Sequence, residues 1–179
     1  MWSNNLATGE VTLEDVYRFF PVSYPLATGV TSGLQLKTIM EQNLSYVFSV
    51  DSFQQSGGWL DGFSGVDLTL DLTKNDAQRI AALFHGGSNT EISDTDSVTV
   101  AGCQRPFDNA DILCSYPGFT NVQALIDVDT GNAMTPQALL IKSLANGNLT
   151  GGKNSGITDI SGTTQWPEAD FVQPLTGVN

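Results

Sequence analysis

Positive charge is what this chain has least of. Seven Lys and Arg stand against 19 Asp and Glu in 179 residues, a formal charge of -12. A field of that sign repels nucleic acid and anionic membrane surfaces, so neither is an expected partner. An anionic substrate would have to be received by a local cation, and few exist. His85 is the only histidine, and together with Cys103 and Cys114 it falls short of the ligand set a zinc site needs. No apolar run approaches the ~18 residues that cross a bilayer. Met1 is followed by Trp2-Ser3-Asn4-Asn5, with no basic start and no apolar core, so no signal peptide is expected within these residues. An export signal, if the parent protein carries one, lies outside them.

What is present suffices for one substantial domain. The chain is 40% hydrophobic, with 9 Phe, 4 Tyr and 3 Trp, enough to build a core. Eighteen glycines and the scarcity of lysine predict long loops and a surface more polar than charged. Cys103 and Cys114 are separated by a loop-like stretch. They are expected either as a disulfide in an oxidising compartment or as two buried thiols.

Local signals order the chain. Thr12 followed by Asp15 predicts a capped helix through Phe20. Pro21 and Pro25 end it and force extended backbone as far as Gly29. Ser32 is a cap for a second helix, with Leu34, Leu36, Ile39, Met40, Leu44 and Val47 as its apolar stripe. A Gly-rich loop over 54–65 follows. Val66 to Leu72 alternates with the period of a strand wet on one face, and Arg79 to Phe84 is its hairpin partner across Lys74-Asn75-Asp76. Ser97 to Gly102 is a further strand, expected to be central from its β-branched content. Residues 121–128 fit strand or helix. Thr135-Pro136 starts a helix that Asn146-Gly147 stops. Residues 147–179 are rich in Gly, Thr, Ser and Asn and are expected to pack as an extension on a domain spanning 1–146. Mixed helices and hairpins without βαβ alternation predict an α+β fold with a mixed or antiparallel sheet.

Most chemical motifs fail on inspection. Gly147 to Asn154 imitates a phosphate loop, but Asn154 replaces the metal-binding hydroxyl and no helix follows. Asp129-Thr130-Gly131 is the aspartic-protease tripeptide without the second copy that shares its proton. Asp127, Asp129 and Gly131-Asn132 hint at a calcium loop, yet the Gly comes one place early and Ala138 stands where the bidentate Glu belongs. His85 has no Ser or Cys partner at a motif spacing and reads as a strand end. The sequons at Asn43 and Asn148 are short enough to arise by chance, and the first falls on a helix.

The opening of the chain carries more. The run Gly9-Glu10-Val11-Thr12-Leu13-Glu14-Asp15-Val16-Tyr17, the step Phe20-Pro21, the run Thr31-Ser32-Gly33-Leu34-Gln35-Leu36-Lys37 and the pair Met40-Glu41 resemble the C-terminal domain of the 5'-nucleotidase superfamily. The strand at 98–102 and the helix after Thr135 fall where that family has its last strand and helix. Two departures stand out. Phe20-Pro21 continues as Val22-Ser23-Tyr24 rather than Phe-Gly-Asn, and Cys103 to Asp108 replaces the family's Gly-Gly-Asp-Gly stretch. Ser23-Tyr24-Pro25 and Gln54-Gln55-Ser56-Gly57-Gly58 are more similar to the SoxB-like thiosulfohydrolase branch.

The resemblance implies a division of labour. In the family an N-terminal metallophosphoesterase domain holds two divalent metals, here expected to be manganese or zinc, and performs the hydrolysis. The second domain presents the substrate. The resemblance therefore implies that this chain holds no catalytic residue and no cofactor of its own, and that it works with an N-terminal domain of the same parent chain on a small anionic substrate. It also implies a periplasmic or extracellular location. Expected substrate contacts are Tyr24 and Phe107, as stacking or lining rings, Gln54, Gln55 and Trp59 in the Gly-rich loop, and Arg105 as the receiving cation. The alternative is a non-catalytic ligand-binding or surface module that keeps this fold.

Overall fold

The computed structural model describes residues 11–49, 51–56, 60, 62–147 and 156–162. The chain divides into two compact units: Met1–Thr31 with Ser97–Gly151, and Ser32–Asp96 with Gly152–Asn179.

In the first unit, helix α1 (Leu13–Phe19) starts at a reciprocal capping box. Asp15 N–H donates to Thr12 Oγ1 at 3.3 Å, and Thr12 N–H donates to Asp15 Oδ2 at 2.9 Å. The two extended prolines then lead into strand β1 (Leu26–Ser32). Strand β1 is the centre of a three-stranded sheet, between β4 (Ser97–Cys103) and β5 (Thr120–Ala124). It pairs antiparallel with β5 through Ala27 with Ala124, Thr28 with Gln123 and Val30 with Thr120. The register slips at Gly29, where a Cβ would sit 3.2 Å from Phe119 and 3.3 Å from Val122. Glycine allows that close approach.

The expectation that Ser97 to Gly102 would be central is corrected: β4 is an edge strand, with no residue fully buried. β-branched side chains report fit to a pleated surface, not position within a sheet. The ambiguous 121–128 stretch resolves as β5 followed by a turn. Helix α3 (Pro136–Ala145) begins as expected, with Ala138 N–H donating to Thr135 Oγ1 at 3.2 Å and Pro at its first turn.

In the second unit, Ser32 Oγ accepts Gln35 N–H at 3.1 Å and opens helix α2 (Gly33–Val47). Leu36, Ile39, Met40 and Leu44 of the expected stripe are buried, whereas Leu34 is half exposed. Strand β2 (Val66–Leu70) buries Val66, Leu68 and Leu70, the wet-face alternation read from the sequence. It pairs antiparallel with β3 (Ile80–His85) and parallel with β6 (Gly156–Asp159), giving the order β3-β2-β6. The β2–β3 register slips between Thr69 and Leu70, beside Ile80. Glu41, on α2, is buried there, and its Oε1 accepts Ile80 N–H at 2.5 Å. Arg79 is also buried, paired with Asp76 at 2.5 Å and stacked on Phe48 at 5.4 Å. The fold is α+β with one antiparallel and one mixed sheet. Of the 147–179 segment only Gly147 and 156–162 belong to the described residues.

Candidate functional site

The residues that meet at this site are held by backbone bonds on each side. Pro21 and Pro25 keep the chain extended between α1 and β1. Gln137 of α3, 2% exposed, ties that segment down: its Nε2 donates to Phe20 O at 2.6 Å and reaches Val22 O at 3.4 Å. Leu26 N–H donates to Met134 O at 2.7 Å, and Gln104 N–H donates to Pro25 O at 2.8 Å. The start of β1 and the end of β4 are thereby joined. Tyr24 and Arg105, distant in sequence, flank that junction. The Arg105 guanidinium lies 6.0 Å from the Tyr24 ring centroid. That is the outer range of a cation–π contact, worth about 0.5–1 kcal/mol at an exposed position.

Phe107 stands two residues on. Asp108 N–H donates to Arg105 O at 3.3 Å, closing a four-residue turn. Pro106 occupies its second place and Phe107 its third, with φ +74°. A Pro followed by positive φ is the type II turn, whose third place normally belongs to Gly. Phe107 is nonetheless there, and its relative accessibility is 103%, so nothing in the described structure covers the ring. Strain of this kind is costly, and binding sites are among the places where it is found. Cys103 and Cys114 are joined as a disulfide, with Cα atoms 4.8 Å apart, which closes the loop bearing Arg105 and Phe107. Leu113, 2% exposed, anchors its far end.

The other expected contacts are Gln54, Gln55 and Trp59. Gln54 and Gln55 belong to the second unit, are exposed, and make local bonds: Gln54 N–H to Asp51 O at 2.9 Å, and Gln55 Nε2 to Ser49 O at 2.8 Å. Trp59 lies outside the described residues.

The calcium-like turn after β5 holds its own cation. Lys142 Nζ sits 2.5 Å from both Asp127 Oδ1 and Asp129 Oδ2. That ammonium, with help from Asp129 N–H, holds the Asp127 carboxyl below the usual carboxylate range. The two carboxylates in turn raise Lys142 above the usual lysine value. Among the described residues no three His, Cys, Asp or Glu side chains are grouped to receive a metal ion. No helix among them is long and apolar enough to cross a membrane.

Sequence reasoning missed Gln137, whose signal is a lone amide on the inner face of a helix. It also missed the role of Glu41, a carboxylate set between the buried Met40 and Leu44.

The described structure is an α+β domain whose exposed turn carries Phe107 at positive φ. The sequence pattern of the 5'-nucleotidase C-terminal domain matches residues 2–107, and the chain belongs to that family. Its fold is similar to a sulfate thiohydrolase SoxB of Thermus thermophilus, with a TM-score of 0.56 and 19% identity over 81% of this chain and 24% of that one. It is equally similar to a candidate 5'-nucleotidase of Staphylococcus aureus (TM-score 0.56, 18% identity, 83% of this chain and 30% of that one). A 5'-nucleotidase precursor, also of Thermus thermophilus, gives a TM-score of 0.55 at 14% identity, over 83% of this chain and 28% of that one. The chain thus spans less than a third of the length of these proteins. Among curated proteins none matches.

Proposed function

We propose that this chain is the substrate-recognition domain of a two-domain hydrolase that cleaves a phosphoester or a related ester in the periplasm or outside the cell. Hydrolysis belongs to an N-terminal metallophosphoesterase domain of the same parent polypeptide, where manganese or zinc would supply hydroxide and clamp the leaving group. The residues of this chain bind and orient the substrate. The observation that carries the reading is Arg105 over the Tyr24 ring beside the uncovered Phe107. In a chain of net charge -12, an exposed guanidinium over one aromatic ring, with a second uncovered ring two residues on, suits a planar or compact anion. Ser23-Tyr24-Pro25 and the Gln54-Gln55 stretch favour a substrate of the SoxB-like branch over a nucleotide.

The test uses the parent protein. Asp-x-His and Gly-Asn-His-Glu stretches upstream of Trp2 are expected in its gene. With manganese, Arg105→Ala in the parent should raise KM about tenfold or more at nearly constant kcat, the loss of one charged contact made equally in ground and transition states. An unchanged KM refutes the role of Arg105. The replacement of Phe-Gly-Asn by Val22-Ser23-Tyr24 favours a second reading, a non-catalytic binding module. A parent without those metal motifs, inactive on phosphate and thiosulfate esters alike, would establish that one instead.

A further inference from the structure

Helix α2 lines a groove within the second unit. The lining runs from Leu34 through Thr38 and Gln42 to Tyr46, each one turn of the helix on, with Lys37 beside them. At ~1.5 Å of helix rise per residue that face is about 18 Å long. It is long for a compact ligand and suits an extended chain of about six residues at ~3.3 Å each. Leu34 and Tyr46, at its two ends, are 53% and 42% exposed. Lys37 makes no ion pair with any described residue, though the chain has only seven Lys and Arg. The groove therefore offers apolar surface at each end and a cation between.

The described residues end close to one end of it. Leu34 N–H donates to Asp94 O at 3.0 Å, so Asp94 lines the groove beside the start of α2. Ile80 N–H donates to Glu41 Oε1 and Arg79 stacks on Phe48, so the β2–β3 loop, whose Ala77 also lines the groove, lies toward Tyr46. Past β6, Ile160 N–H donates to Leu70 O at 2.8 Å, and Ser161 Oγ accepts Leu72 N–H at 2.8 Å. Leu72 opens the same loop that carries Ala77. Strands β6, β2 and β3 are neighbours in that order, so two strand spacings, about 10 Å, separate Ser161 from the far side of the loop. Residues 163–165 suffice to cross that gap at about 3.3 Å each.

The sequence beyond them fits the groove in order. Pro167 favours extended backbone at Trp166. In an extended chain alternate side chains share a face, here Trp166, Glu168, Asp170 and Val172. With Trp166 against Tyr46, Asp170 stands about 13 Å further on and Val172 about 20 Å. Along α2, Lys37 stands about 13 Å from Tyr46 and Leu34 about 18 Å. Glu168 falls near Gln42, an amide that can donate to it. No charged side chain follows Asp170, which suits the approach to Asp94.

We propose that residues 166–172 occupy this groove as a strap from the same chain, with Trp166 on Tyr46, Asp170 paired with Lys37 and Val172 on Leu34. The strap covers apolar surface that α2 otherwise exposes to water. It shares no residue with Tyr24, Arg105 and Phe107 and stands independently of the function proposed above.

The experiment is nuclear Overhauser spectroscopy on the isotopically labelled 179-residue chain. Contacts are expected between the Trp166 indole and the Tyr46 ring, and between the Val172 and Leu34 methyl groups. Asp170→Lys, a change outside the described fold, should at least halve both cross-peaks, because like charges then meet where opposite ones did. Lys37→Glu should do the same while leaving the β2–β3 contacts in place. The two changes together exchange the charges of the pair and should restore both cross-peaks. Mixing labelled with unlabelled chains identifies the occupant: contacts found only between copies would give the groove to a second chain and overturn the proposal. It is equally overturned if the wild-type chain lacks either contact, if Asp170→Lys leaves both at full intensity, or if the double variant restores neither.

Discussion

Replacing Phe107 by Gly should make the chain more stable. The turn Arg105-Pro106-Phe107-Asp108 holds Phe107 at φ +74°, a conformation that costs an L residue about 1–2 kcal/mol. Burial does not offset that cost, because the ring is fully exposed. Glycine removes the strain, while its greater freedom in the unfolded chain takes back about 0.4–1 kcal/mol. The net gain is about 0.5–1 kcal/mol, or a rise of roughly 1–4 °C in Tm for a chain of this size. Phe107→Ala is the control: it deletes the ring but keeps a Cβ, so its Tm should stay at the wild-type value. Thermal melts of the three proteins by circular dichroism decide the matter. If Phe107→Gly melts no higher than Phe107→Ala, the residue is not strained and the argument that a site retains it fails. In the parent enzyme both variants should lose substrate affinity together, separating the cost of the conformation from the use of the ring.

Other perturbations test other parts of the fold. Gly33→Ala, elsewhere a stabilising change at a helix start, would place a Cβ 2.0 Å from Ser93 O and should cost about 1–3 kcal/mol in urea melts; a stabilised variant would refute the docking of α2 on that turn. Leu68→Ala, at a site 1% exposed, should cost about 2–5 kcal/mol by the same assay, and a loss near zero would remove β2 from the core. Changing both Cys103 and Cys114 to Ser opens a loop of sequence separation 11 and should cost up to about 3 kcal/mol by loop entropy, with new amide exchange confined to the Arg105–Leu113 region. The Lys142–Asp127 pair predicts the pH response. Because the folded Asp127 pKa is lowered, its stabilisation is present above the ordinary value of about 3.9 and is lost as pH falls through the lower folded value. Because the folded Lys142 pKa is raised, its stabilisation is present below about 10.4 and is lost as pH rises through the higher folded value. Lys142→Met should therefore be less stable at neutral pH and show a flatter Tm profile at both extremes; a profile parallel to wild type would refute the pair.

Elements governed by neighbouring residues were legible in the chain itself. The Thr12–Asp15 box, the Ser32 cap and the Thr135-Pro136 start each satisfy helix-end groups with atoms a few residues away. The alternation at Val66 to Leu70 announces its own buried face. The family was legible for the same reason, since its signature lies in those caps and the Pro break. Position within the sheets was not legible. The β-branched β4 lies at an edge, while β1, with a Gly in its middle, is central. Gln137 under the Phe20–Val22 segment, Glu41 beneath Ile80, and Lys142 in the place of a calcium ion all depend on chain segments far apart in sequence. So does the meeting of Arg105 with Tyr24. Periodicity and capping are short-range properties of the polypeptide, so sequence alone determined the elements and their wet and dry faces. Which strand is flanked, and which charges share one hollow, follows from long-range pairing of backbone and side chains, and only the tertiary structure decided it.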